Sequence, residues 1–154
     1  MSEIVLVSAE ICHSEMIWEW RNDLITRKMF VNSEKVSWEE HTSWYEKILL
    51  DKFRKLYVGE EGGIPIGVVR FDKCDDKENV YEVSINISPA SRRKGFGKQL
   101  LTNGIRRLHK EVKNCKFIRA EVKKENEYSN KLFKSCGFIF IEHVSGMNTY
   151  ELSI

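Results

Sequence analysis

The segment Arg92-Arg93-Lys94-Gly95-Phe96-Gly97-Lys98 places four cations and two glycines within seven residues. Three kinds of chemistry use such a stretch. Bare backbone at the start of a helix can cradle a phosphate, clustered cations can meet nucleic acid, or a basic turn can simply lead into a solvated helix. The spacing is not that of G-x-x-x-x-G-K-[ST], and the dinucleotide pattern G-x-G-x-x-G would need glycine where Leu100 stands. The setting still suits an anion: an apolar run ends, a loop turns, and a helix begins with unpaired N–H groups pointing outward. Glycines at 95 and 97 let a diphosphate approach the backbone with no Cβ in the way, and Arg92, Arg93 and Lys94 add charge around it. Taken alone, this motif supports the phosphate loop and the plain basic turn equally.

The elements around the loop follow from residue periodicity. Residues 3–8 read as a strand, and 10–30 as helical, with Met16, Ile17, Trp20 and Leu24 on one apolar stripe. A helix from Ser37 to about Leu50 opens with Ser37 and Glu40 spaced as a capping box. The runs RKLYVGEE and IPIGVVRFD flank Gly62-Gly63 as a hairpin, and VYEVSINI at 80–87 forms a fourth strand. After the basic loop, Leu100, Leu101, Gly104, Ile105, Leu108 and Val112 keep helical spacing. Lys116–Val122 is again strand-like, Asn126 caps a short helix that Gly137 stops, and 138–143 with 148–152 close as a hairpin. The order is β-α-α-β-β-β-α-β-α-β-β. The crossover across 80–122 makes its two strands parallel, and the hairpins make the others antiparallel, so the sheet is mixed.

Composition narrows the class. The 154 residues are enough for a single domain, 1–154, with its own core. A net charge of +2 gives no general affinity for nucleic acid or an anionic membrane. Cys12, Cys74, Cys115 and Cys136 are far apart and form no C-x-x-C pair, which suits free thiols in a reducing cytoplasm and predicts no metal site. No apolar run approaches the roughly 20 residues needed to span a bilayer. A cytoplasmic protein is expected.

Residues 87–101, ISPASRRKGFGKQLL, resemble the acetyl-CoA loop of the GNAT acetyltransferase superfamily, [QR]-x-x-G-x-[GA], with Arg92, Gly95 and Gly97 in its three places. Residues 121–138, EVKKENEYSNKLFKSCGF, resemble a second segment of the same family, with Glu121, Asn126, Ser129, Leu132, Gly137 and Phe138 in register. The element order fits the whole fold. The resemblance implies an α/β (α+β) class with a central mixed, mostly antiparallel sheet flanked by helices. It also implies a splayed parallel strand pair holding acetyl-CoA. The N–H groups of residues 93–98 would hold the pyrophosphate, with Phe96 and Lys98 inside that loop, and pantetheine would lie along Ile85, Asn86 and Ile87. Asn126 completes the expected cofactor set.

The resemblance further implies direct transfer of acetyl from the thioester to an amine, which fits a chain with no G-x-S-x-G and no persuasive Cys–His pairing. A backbone N–H near Ile87 would stabilise the oxyanion. Glu121 stands where ribosomal-protein alanine acetyltransferases of the superfamily carry their base, and Glu82 lies on the strand where other members place one. Phe133 occupies the usual tyrosine position and cannot donate a proton, so the general acid is unassigned, with Tyr128 close by in sequence.

For the acceptor, Trp20-Arg21-Asn22 followed by Glu39-Glu40-His41 and Trp44 resembles the N-terminal half of the amino-sugar acetyltransferases of pseudaminic-acid biosynthesis. His41 and Trp44 share a helix face. A sugar nucleotide would offer a diphosphate to Arg21 and an apolar face to an aromatic ring. Trp20, Arg21, His41 and Trp44 are therefore the expected acceptor residues. The alternatives are a peptide N-terminus as acceptor, or a non-catalytic acetyl-CoA-binding module. The expected partners are acetyl-CoA and a small-molecule amine, with neither nucleic acid nor membrane, and with a homodimer left open.

Overall fold

The structure, a computed structural model, describes residues 3–154. Alternation of apolar residues builds strands β1 (Val5–Ser8), β2 (Arg54–Glu61), β3 (Ile64–Lys73), β4 (Val80–Ile87), β5 (Phe117–Lys123), β6 (Ile139–Val144) and β7 (Met147–Ser153). Between them run α1 (Ser14–Asn22), α2 (Leu24–Met29), α3 (Trp38–Leu50), α4 (Phe96–Glu111) and α5 (Glu127–Ser135). All the strands share one mixed sheet in the order β1-β2-β3-β4-β5-β7-β6. Every neighbouring pair is antiparallel except β4–β5.

The two sheet faces bury different helices. On one face, Leu100, Leu101 and Leu108 of α4 are fully buried, as their helical spacing demands, against Val69, Phe71, Tyr81 and Ile118. On the other, Ile17 of α1 and Tyr45 and Ile48 of α3 pack on Leu56, Val58 and Val68. Gly62 and Gly63 turn the β2–β3 hairpin at φ +57° and +81°, a conformation that strains any residue with a Cβ. The Ser37 hydroxyl accepts the Glu40 N–H at 3.1 Å and starts α3.

One expected element divides. The helical stretch 10–30 becomes a 3-10 turn at 11–13, then α1, then α2, because Asp23 adopts ψ 136° and leaves the helical region. The Asp23 carboxylate then accepts the Thr26 N–H at 3.1 Å, so the residue that ends α1 also caps α2. The change of direction takes Leu24 off the apolar stripe and leaves it 56% exposed.

Candidate active site

Strands β4 and β5 pair over only three positions, Val80↔Phe117, Tyr81↔Ile118 and Glu82↔Arg119, and then diverge. The backbone of β4 beyond Glu82 thus faces a gap, and its alternation shows which groups point there. Ser88 N–H donates to Ile66 of β3 at 2.8 Å, while Asn79 C=O, on the opposite edge, accepts from Lys116 and Phe117. Stepping by two along the strand, the N–H and C=O groups of Val83, Ile85 and Ile87 are directed into the gap. Here is a strand edge on which an extended ligand can add as another strand. The gap widens into a cleft of about 670 Å³, walled by β4, the 91–97 loop, α2, and the end of β5 with the start of α5.

The loop that closes one end of the cleft is shaped by two left-handed residues, Arg93 at φ 62° and Gly95 at φ 79°. Gly95 precedes α4, whose first-turn N–H groups at 96–98 have no carbonyl partner within the helix. Phe96 anchors that turn by burying its ring in the main core, whereas the side chains of Lys94 and Lys98 are exposed and lie outside the cleft lining. A Cβ at Gly97 would sit 2.0 Å from the Tyr128 hydroxyl, so glycine is required for this close approach. Burial raises the Tyr128 phenol above its ordinary range, and the Gly97 N–H directed at it works the other way. Asn126 spends its side-chain oxygen on the Ser129 N–H at 3.1 Å and so caps α5 beside the cleft. The Arg92 guanidinium turns to Asp23, donating to Oδ2 at 2.5 Å.

Both candidate carboxylates line the cleft. Ile118, Ala120 and Val122 point into the core, so Arg119 and Glu121 project from the other face of β5, beside Glu82. Burial and the like charge of Glu121 push the Glu82 carboxyl above the usual carboxylate range, against the pull of Arg119, whose Nη2 lies 3.8 Å from Glu82 Oε2. Glu82 is therefore a carboxylate with raised proton affinity at the point where the strands separate. Phe133 is buried and packed on Phe138 and Tyr150, and Tyr128 is the only tyrosine among the described residues lining the cleft.

The expected acceptor residues separate in space. Arg21 reaches the cleft, where its guanidinium lies over the Phe30 ring at 4.3 Å and donates to Asn32 C=O at 2.8 Å. Its Nη1 is buried without a partner, and burial together with Arg70 and Arg27 lowers its pKa. Trp20, His41 and Trp44 do not line the cleft. His41 is 2% exposed, stacks with Trp38 and Tyr45 and meets Ser14 Oγ at 3.0 Å, while Trp20 and Trp44 pack against the second core. Helical spacing correctly puts His41 and Trp44 together, but their shared face points toward the sheet. Asn22 grips the backbone of Val36 with both amide atoms at 2.8 Å, which fixes the 30–37 segment that carries Phe30. Arg70, not singled out from the sequence, completes the cationic side of the cleft. Its signal was a lone charge within the apolar run VVRF, whose alternation points it away from Val69 and Phe71.

The model of the Acetyltransferase (GNAT) family matches residues 15–138, most of the chain. The chain belongs to the GNAT acetyltransferases. No curated protein matches this GNAT sequence significantly. Among solved structures, a spermidine N-acetyltransferase from Vibrio cholerae in complex with CoA and spermine superposes with a TM-score of 0.87 at 20% identity, over 98% of this chain and 95% of that one. A ribosomal-protein α-N-acetyltransferase in complex with coenzyme A gives 0.82 at 14% identity, over 100% and 96%. A Salmonella typhimurium protein with acetyl-CoA as its cofactor gives 0.77 at 23% identity, over 97% and 93%. The first two are named for spermidine and a ribosomal protein, not for an amino sugar. This GNAT protein is an acetyl-CoA-dependent N-acetyltransferase, and its own residues fit that donor: a bare strand edge, a left-handed loop, and a glycine where a Cβ would intrude.

Proposed function

We propose that this GNAT enzyme acetylates a primary amine on an acceptor that also carries negative charge, with the 4-amino group of a nucleotide-linked amino sugar as the leading candidate. The observation supporting this reading is the meeting of two poles in one cleft. Glu82 and Glu121 offer negative charge for an ammonium, and Arg21, with Arg70 held at 2.9 Å by Asp72 on the same side, offers a cation for a phosphate. Arg21 retains an unpartnered buried N–H, the kind of donor that a charged oxygen satisfies at a gain of about 1.5–3 kcal/mol.

Acetyl-CoA supplies the activated carbonyl when bound. The chain's residues do the rest. Glu82, with its raised proton affinity, takes the proton from the ammonium, and Glu121 holds that affinity up through its like charge. The N–H groups of Ile85 and Ile87, directed into the gap, stabilise negative charge developing on the carbonyl oxygen. No residue is assigned to protonate sulfur, because a thiol with a pKa of about 8.5 leaves acceptably as thiolate.

A peptide N-terminus is the second reading, favoured by the apolar wall that Ile25, Met29, Phe30 and Val31 give the cleft. The cations at Arg21 and Arg70 work against a polyamine. CoA release measured with a nucleotide-linked 4-amino sugar, a peptide N-terminus and spermidine separates these. The sugar should turn over fastest, and Arg21→Ala should raise its KM by roughly 10- to 100-fold with acetyl-CoA affinity unchanged. No turnover of the sugar alongside turnover of the peptide or spermidine overturns the acceptor assignment. Glu82→Gln should lower kcat by roughly 10² or more. The residual rate should recover at higher pH, where more of the amine is already neutral.

A further inference from the structure

Arg92 opens the donor-loop pattern, yet its guanidinium is engaged elsewhere. Nη2 donates to Asp23 Oδ2 at 2.5 Å and to Thr26 Oγ1 at 2.9 Å. Asp23 lies 69 residues away in sequence, and the two side chains are about three-quarters buried, at 27% and 24% exposed. The hydrogen bond from Arg92 holds the Asp23 carboxyl below its ordinary range, so the pair is ionised at neutral pH. Asp23 also accepts the Thr26 N–H at the start of α2. Thr26 Oγ1 stands 3.3 Å from both Asp23 Oδ2 and Asn86 Oδ1. Its one proton can serve only one of them. Asp23 Oδ2 already accepts from Arg92 and the Thr26 N–H, so the proton is better used on Asn86.

A chain of polar contacts thus runs from the donor loop through α2 to β4. On the cleft side, α2 contributes Ile25, Thr26 and Met29, and β4 contributes Val83 to Ile87 with its unpaired edge. We propose that Arg92 is a positioning residue: working through Asp23 and Thr26, it fixes the acceptor wall formed by α2 against the phosphate loop and does not itself hold phosphate. This holds whichever amine is the acceptor. The geometry gives the guanidinium a strong, partly dry anionic partner inside the protein, and turning it toward a phosphate would leave the Asp23 carboxylate uncompensated.

The discriminating variants are Arg92→Met and Asp23→Asn. Asparagine keeps the cap on α2 and removes only the charge that Arg92 answers. Calorimetric titration should give acetyl-CoA affinities within threefold of the parent for both. Amide hydrogen exchange over residues 23–30 should quicken about tenfold in each, with the double variant no faster than either single one, because one contact is lost in all three. Arg92→Lys, which can still reach Asp23, should restore most of the protection. With the amine that turns over in the acceptor panel, KM for the amine should rise in both variants while kcat holds. A loss of acetyl-CoA affinity above tenfold in Arg92→Met, with Asp23→Asn unchanged, would make Arg92 a phosphate ligand and overturn the proposal. Unaltered exchange in both single variants also overturns it. Should Arg92→Met fold poorly, Arg92→Gln removes the same charge from Asp23 and must show the same pattern.

Discussion

Replacing Gly97 by valine tests whether the first turn of α4 is the anion cradle. The new Cβ would lie 2.0 Å from Tyr128 Oη, 3.1 Å from its Cζ and 3.4 Å from Leu132 Cδ2. Only the first of these is a severe clash, and it falls on the far end of a side chain that is 54% exposed and can rotate outward. The folded state should lose little more than the contact between the Gly97 N–H and the phenol, about 1 kcal/mol, against a domain stability of about 5–15 kcal/mol. The donor loses more. Valine's methyl groups stand over the N–H groups of the first helical turn, and forfeiting one charge-assisted hydrogen bond costs about 1.5–3 kcal/mol, or roughly 10- to 150-fold in Kd. Calorimetric titration of acetyl-CoA into the folded variant measures this, with circular dichroism to establish the fold. Tyr128→Ala in the same background serves as a control, since the affinity loss should persist without the tyrosine. An affinity within threefold of the parent refutes the cradle. Recovery on removing Tyr128 would instead mean that a displaced tyrosine, not the valine, blocks the donor.

Two further outcomes follow from named contacts. Arg119→Met removes a cation 3.8 Å from Glu82 that favours the charged form of the carboxyl. Losing a neighbour that favours the charged form raises the Glu82 pKa further, so the acidic limb of kcat/KM against pH should move upward. An unmoved limb, or one shifted downward, removes Glu82 as the base. Asn130→Ala withdraws the amide that donates to Lys123, Lys124 and Asn126 carbonyls and accepts from Asn148 and the fully buried Tyr150 hydroxyl. Stability should fall by about 2–4 kcal/mol in denaturant unfolding, whereas a loss below about 1 kcal/mol would show that water replaces the side chain.

Local signals carried far in this chain, and distant ones did not. The Gly62-Gly63 hairpin, the apolar stripe of α4 and the Asn126 cap are set by residues within a few positions of one another, and each was legible. The strand–loop–helix context of Arg92–Lys98 was legible for the same reason. The Asp23 cap on Thr26 is a local signal that the apolar stripe masked, whereas the contact of Asp23 with Arg92, 69 residues on, was not legible. Helical spacing paired His41 with Trp44, but which side of α3 meets the sheet depends on how α1 and α3 pack together. The acidity of Glu82 likewise depends on the β4–β5 register, which sets Glu121 and Arg119 beside it. Side chains that meet across the cleft leave no periodicity in the sequence.

The three-residue pairing of β4 with β5 has a mechanical consequence. It divides the sheet into two plates, β1–β4 and β5-β7-β6, stitched along a short seam and backed by α4 and α5. A donor laid along β4 would add a further rung to the sheet beside this seam. Its binding energy then adds to the stability of the folded protein, about 4 kcal/mol at a thousandfold excess over Kd. Acetyl-CoA bound there should therefore raise the Tm of the folded protein with increasing donor concentration, an effect separate from turnover.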